Sequence, residues 1–159
     1  NQFALALLDL DHFKSANDTY GHMFGDQVLQ FLAERMRRSI RGGDIAARVG
    51  GDEFLIFLEY KDDLESTIEG IYNRVDGGVY EDFKISVSMG VASTEIVDGE
   101  YETLFRCADE ALYVVKNSGK GHYSYYHKEH AHVGGDISAV SPIDGADEAG
   151  EAEDKEEKA

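Results

Sequence analysis

Hydrophobic positions change their period along the chain, and each change marks an element. Phe3, Ala4, Leu5, Ala6, Leu7 and Leu8 form an unbroken apolar run that ends at Asp9. Continuous rather than alternating hydrophobicity predicts a central strand buried on both faces. From Gly25 and Asp26 the spacing lengthens. Val28, Leu29, Leu32, Ala33, Met36 and Ile40 recur on one helical face, with Arg35, Arg37, Arg38 and Arg41 largely elsewhere, and Gly42 and Gly43 stop the pattern. Residues 45–49 and 54–58 read as short strands joined by Gly50, Gly51, Asp52 and Glu53, a glycine hairpin. Asp62 and Asp63 cap a second helix with Leu64, Ile68, Ile71 and Val75 inward, and Asp76, Gly77 and Gly78 close it. Residues 83–91 alternate as one strand. A third helix is predicted over 102–116, with Leu104, Phe105, Ala108, Ala111, Leu112 and Val115 as its buried stripe and Asn117, Ser118 and Gly119 as its stop. Residues 122–126 read as a last strand. A hairpin between helices implies an α+β fold, a mixed and mostly antiparallel sheet with helices packed on it.

Composition sharpens this picture at one end. The 159 residues suffice for one domain, and 42% are hydrophobic, enough for a core. The net charge is −17, but it is unevenly spread. Residues 133–159 hold nine acids against two lysines and few large apolar residues, which predicts a disordered acidic tail after a domain of residues 1–132. The domain itself carries 23 acids and 13 bases. Such a balance argues against a protein that grips nucleic acid through phosphate contacts. No apolar run reaches the ~18 residues of a membrane span, and no leader precedes the first strand, so a cytoplasmic setting is expected. A strand that starts at residue 3 suggests a piece of a longer chain. The single cysteine, Cys107, allows no internal disulfide and reads as packing; Tyr123, Tyr125 and Tyr126 read as strand aromatics, and His127, His130 and His132 as an inert surface cluster.

The candidate chemistry lies where strands end. Asp9, Leu10 and Asp11 finish the first strand, and Asp52 and Glu53 sit on the glycine hairpin. A hairpin beside that strand brings its tip to the strand's end, where the carboxylates of Asp9 and Asp52 and the Leu10 carbonyl form a hard-oxygen site suited to Mg²⁺. Two such ions about 3.5–4 Å apart are a usual device for phosphoryl transfer. Each carboxylate also has a plainer reading: Asp9 paired with Lys14, Asp11 capping a turn, Glu53 on the surface. Spacing alone leaves both readings open.

Five ordered blocks go further. Residues 8–14 (LDLDHFK), 17–22 (NDTYGH), 25–29 (GDQVL), 48–54 (RVGGDEF) and 108–116 (ADEALYVVK) strongly resemble the GGDEF family, the diguanylate cyclases. The match runs from about Phe3 to Tyr126. The resemblance implies a nucleotide-cyclase or polymerase-palm, ferredoxin-like fold. It implies that two GTP become cyclic di-GMP and two pyrophosphates, in a homodimer whose partners each hold one GTP, downstream of a sensor segment. Asp9, Asp52 and the Leu10 carbonyl match the family's metal ligands, for Mg²⁺ or Mn²⁺ and two ions per GTP. Asp52 also matches the proton acceptor for the attacking 3′-hydroxyl, a role Glu53 lies close enough to share. Asn17, His22 and Asp26 match guanine contacts, and Lys14 and Lys116 match phosphate contacts. Guanine presents N1–H and its 2-amino group as paired donors, which one carboxylate accepts together; adenine presents an acceptor instead. Asp26 also fits a helix N-cap, Asn17 a turn residue and His22 a loop-satisfying histidine.

Two departures qualify the match. The family's usual Gly-Arg after the helix lysine is Gly119 and Lys120 here, which keeps the charge and loses the bidentate fork. The family's leading Asp-x-Leu-Thr block and Leu-x-Asn-Arg turn are absent from the sequence and are expected upstream of Asn1. Arg41 and Asp44, shortly before Gly50, match the family's Arg-x-x-Asp product-inhibition site; alone they also read as a helix-end arginine and a turn aspartate. The alternative to a cyclase is an inactive GTP or cyclic di-GMP receptor module. A template-copying palm needs a basic groove, which the composition disfavours.

Overall fold

In the computed structural model, which describes residues 1–127, the opening apolar run becomes the centre of a sheet. β1 (Gln2–Leu10) leads into α1 (Phe13–Tyr20) and α2 (His22–Ser39). The hairpin of β2 (Ile45–Gly50) and β3 (Glu53–Tyr60) follows, then α3 (Leu64–Val75), a small hairpin of β4 (Val79–Tyr80) and β5 (Phe83–Lys84), β6 (Val87–Ser93), α4 (Tyr101–Asn117) and β7 (Tyr123–Tyr125). The main sheet has the order β2-β3-β1-β6-β7. Its β2–β3, β3–β1 and β1–β6 pairs are antiparallel and its β6–β7 pair parallel. This is the α+β arrangement expected. The acidic tail expected at 133–159 lies outside the described residues, as do His130 and His132.

Alternation along β1 gives the sheet two cores. Ala4, Ala6, Leu8 and Leu10 pack with Phe54, Ile56, Val87 and Met89 under α2 and α3. Leu5 and Leu7 turn the other way, with Leu55, Ala92 and the buried stripe of α4, which includes Cys107. The continuous run is thus explained by burial on both faces. Asp9 continues the second series and so faces α4. No helix among the described residues is long and apolar enough to cross a membrane.

The structure corrects three sequence expectations. The segment between β1 and the predicted helix is itself helical, as α1. α2 opens at His22, with Gly21 at φ +91° as the break, so Asp26 lies inside the helix and is not its N-cap. The strand expected over 83–91 is split. Ile85 exchanges hydrogen bonds with Gly77 and Gly78 (2.8 and 2.6 Å), which holds it to the end of α3 and separates β5 from β6. Alternation persisted through the break because Ile85 is fully buried there too.

Candidate active site

The C-terminal end of β1 gathers the candidate chemistry. In the β1–β3 register Asp9 stands opposite Glu53, and the Leu10 N–H donates to the Asp52 carbonyl at 3.3 Å. The hairpin tip therefore docks on the strand end, as the sequence suggested. Asp9 and Glu53 are 8% and 4% exposed, so the surface reading of Glu53 fails. Like charges directly opposite across a ladder oppose folding, and a cation answers them. Lys116 of α4 places its ammonium on Asp9 Oδ2. Lys14 itself lies on α1, half-buried.

Protonation follows from this crowding. Burial, then the charge of Asp9 and a hydrogen bond with it, push the Asp52 carboxyl up to about 8; its own backbone and Lys116 pull it back. Burial opposes the charge on Lys116, but Asp9 first and then Glu53 and Asp52 outweigh it and raise the ammonium. Asp109, seven residues before Lys116 on α4, is pushed up to about 6 by burial, with Lys116 opposing and Glu110 and Asp9 adding. Asp109 was absent from the sequence candidates. Its two-turn spacing from Lys116 was the available signal.

The position of α4 makes this possible. A Cβ on Gly90 of β6 would lie 2.1 Å from the Ala108 carbonyl oxygen and 2.3 Å from the Leu112 nitrogen. Only a glycine lets the helix approach the sheet this closely, and Lys116 then reaches Asp9.

The donor set fits a divalent cation. Among the described residues no three His, Cys, Asp or Glu side chains converge on one point. Mg²⁺ needs fewer, because it binds through one or two carboxylates and keeps waters and phosphates as its other ligands. Asp9 Oδ1 is buried without a hydrogen bond, and an ammonium sits among three carboxylates. Both mark a place for positive charge.

A second group forms where α1 meets α2. Asn17 packs its side chain onto Gly25, where a Cβ would fall 1.7 Å from Asn17 Oδ1. That oxygen is buried and accepts no hydrogen bond. Asp26, next to Gly25, is exposed and lines a cleft of about 480 Å³ with Leu29, Arg37, Arg48 and Phe54. His22, the first residue of α2, is exposed one turn earlier. Lys120 lies on the exposed turn after α4.

Arg41 and Asp44 fasten the α2–β2 connection. Arg41 N–H and Nε donate to Asp44 Oδ2 at 3.0 and 3.4 Å, Asp44 N–H returns to the Arg41 carbonyl at 3.0 Å, and an Arg41 guanidinium N–H donates to the Glu59 carbonyl. The turn reading of this pair is thereby met. The Arg41 side chain remains 63% exposed.

Comparison with known proteins adds the following. Residues 1–122 match the family described as "Diguanylate cyclase, GGDEF domain". The bifunctional diguanylate cyclase/cyclic di-GMP phosphodiesterase MucR of Pseudomonas aeruginosa is 35% identical over 133 residues, covering 79% of this chain and 19% of that protein. The diguanylate cyclase DosC of Escherichia coli K12 is 36% identical over 126 residues, covering 74% of this chain and 27% of that protein. The chain thus spans about a fifth to a quarter of these two relatives. The crystal structure of the GGDEF domain of DgcB from Caulobacter crescentus, in complex with c-di-GMP, superposes with a TM-score of 0.69 at 33% identity, over 79% of this chain and 78% of that one.

Proposed function

The chain belongs to the GGDEF domain family, and from that premise we propose that it is a diguanylate cyclase domain, condensing two GTP into cyclic di-GMP with release of two pyrophosphates. The observation that carries this reading is the Asp9–Asp52 carboxylate pair where the strand end meets the hairpin tip, with the Lys116 ammonium seated on Asp9.

Two chains meet face to face, each presenting one GTP. Asp26 accepts the guanine N1–H and 2-amino donors, Asn17 completes the base contact through the polar atoms it holds against Gly25, and His22 borders the same pocket. A hydrogen bond to a charged group contributes about 1.5–3 kcal/mol, so ATP, lacking the donors, is disfavoured. Lys14, Lys116 and Lys120 contact the triphosphate. Asp9, Asp52 and the Leu10 carbonyl hold divalent cations, Mg²⁺ or Mn²⁺. When bound, such ions would supply charge neutralisation for the α-phosphate and pyrophosphate and would lower the pKa of the 3′-hydroxyl. The 3′-oxygen of one GTP then bonds to the α-phosphorus of the other, the α–β phosphoanhydride bond breaks, and pyrophosphate leaves. The hydroxyl proton passes to a carboxylate at the hairpin. Asp52, whose proton affinity is raised by burial and by Asp9, is our assignment, with Glu53 in reach of the same task. Repetition in the opposite sense closes the ring. Arg41 and Asp44 bind the product and slow turnover: the guanidinium stacks on and hydrogen-bonds guanine once it leaves Glu59.

The test is direct. The chain at high concentration, with GTP and Mg²⁺, is expected to yield cyclic di-GMP and pyrophosphate, and Asp52→Ala to yield neither. Tight GTP binding without product, in this chain and in one extended upstream, would instead establish the receptor reading.

A further inference from the structure

The turn after α4 is held more firmly than an exposed turn requires. Gly119, Lys120 and Gly121 adopt φ of +108°, +60° and +68° in succession. Glycine enters this region freely, whereas a lysine there is strained and stays only if its surroundings fix it. The fixing bonds are visible. Lys120 N–H donates to the Val115 carbonyl at 3.1 Å, and Ser118 Oγ donates to the Val114 carbonyl at 2.7 Å. The His122 ring spans Ser118 Oγ (3.2 Å) and the Lys120 carbonyl (2.9 Å).

The innermost tie runs to β1. Gly121 N–H donates to Asp11 Oδ2 and to Ser88 Oγ, both at 3.1 Å. Asp11 is 5% exposed. Its Oδ1 accepts from Ser88 Oγ at 2.6 Å and its Oδ2 from Ser86 Oγ at 2.7 Å, while its N–H donates to the Ser86 carbonyl at 2.8 Å. One buried carboxylate thus joins the end of β1, the start of β6 and the turn that carries Lys120. Both of its oxygens are taken by these donors, which separates it from Asp9, whose Oδ1 has none.

We infer that Asp11 is a positioning residue for the triphosphate: through Gly121 and the two serines it sets the turn so that Lys120 is presented beside the strand end occupied by Asp9 and Asp52. This rests on the cyclase reading. Lysine is a point charge on a flexible four-carbon stem, without the pre-organised fork of arginine. Ordering that stem costs affinity, and a rigid base for it lowers the cost. Where the family's arginine is replaced by Lys120, the frozen turn does part of the work of the missing fork.

The experiment measures binding of a non-hydrolysable GTP analogue and of guanosine by calorimetry, and hydrogen exchange at Gly121. It uses the wild type, Asp11→Asn, Ser88→Ala, Lys120→Ala and the Asp11→Asn/Lys120→Ala double variant. Asp11→Asn is expected to weaken the analogue about tenfold, the scale of one charge-assisted contact, with guanosine binding unchanged and Gly121 exchange faster. The double variant is expected to bind no worse than Lys120→Ala alone. Ser88→Ala is expected to shift the same quantities in the same direction by less, and carries the comparison if Asp11→Asn does not fold. Additive losses in the double variant, or an equal loss for guanosine, would overturn the inference while leaving the cyclase reading intact. A wild type that binds the analogue no better than guanosine would overturn the triphosphate site, and the inference with it.

Discussion

The place Asp52 occupies comes at the expense of stability. It is pressed against Asp9 and half-buried, and its folded value of about 8 stands above the ordinary 3.8. Between those pH values the folded chain holds a proton that the unfolded chain has released. Stability of the metal-free protein therefore falls as pH rises from about 4 to about 8. Asp52→Asn removes the penalty. Calorimetry is expected to show the variant melting above the wild type at the upper end of that range and close to it at the lower end, with cyclic di-GMP synthesis lost; parallel pH profiles would contradict the account. Gly25 tests the base pocket in the same way. Gly25→Ala drives a methyl into Asn17 Oδ1, and we expect GTP affinity to fall by at least about tenfold with the loss of the Asn17 contact. Adding Asn17→Gly should restore the fold and not the affinity. At this scale the sequence singled out Asp9 because a carboxylate at the end of a buried strand needs a reason, and Asp52 because a hairpin beside that strand brings its tip to the same end. It left Glu53 open between the site and the surface, because a hairpin tip is ordinarily solvated; the tip glycines are indeed exposed while Glu53 itself is buried beside Asp9.

Between elements, one close approach decides the site. α4 rests on Gly90, and Lys116 reaches Asp9 only because it does. In Gly90→Ala the methyl meets backbone atoms of Ala108, Ala111 and Leu112, which cannot rotate away. Overpacking of this kind costs about 1–3 kcal/mol, and denaturant titration should show a loss of at least that size, with activity falling further because Lys116 moves. A second clamp joins α2 to α3. Arg35 donates to the Val75 and Arg74 carbonyls at 3.2 and 2.5 Å and covers Gly78, where a Cβ would lie 2.5 Å from its Nε. Arg35→Ala is expected to cost about 1–2 kcal/mol, in the range of charged hydrogen bonds, without changing GTP selectivity. The long strands and helices were legible because their hydrophobic period persists for several turns or pairs. α1 was not, because only Ala16 in its eight residues is fully buried, and with Phe13 it gives too short a stripe to show a helical period. The break at Ile85 was not, because burial continued across a change of partner.

Across the whole molecule, net charge and local charge disagree. On the cyclase reading, a domain with 23 acids and 13 bases must take up a triphosphate. At 0.15 M salt the screening length is about 8 Å, so in the proposed site Lys14, Lys116, Lys120 and any bound cations would outweigh the distant acids. We expect GTP affinity in Mg²⁺ to depend little on moderate added salt, and activity per chain to rise with protein concentration, because the proposed reaction joins GTP from two chains. Removing Arg41 as Arg41→Ala should relieve inhibition by added cyclic di-GMP; unchanged inhibition would remove that residue from product binding. All of these outcomes depend on cations being shared by the strand end and the hairpin. The most direct measurement is anomalous scattering from crystals of the chain grown with Mn²⁺ and a non-hydrolysable GTP analogue. The account predicts manganese bound to the carboxylates of both Asp9 and Asp52 and to the analogue's phosphates; manganese held by the phosphates alone, with Lys116 still seated on Asp9, would contradict it.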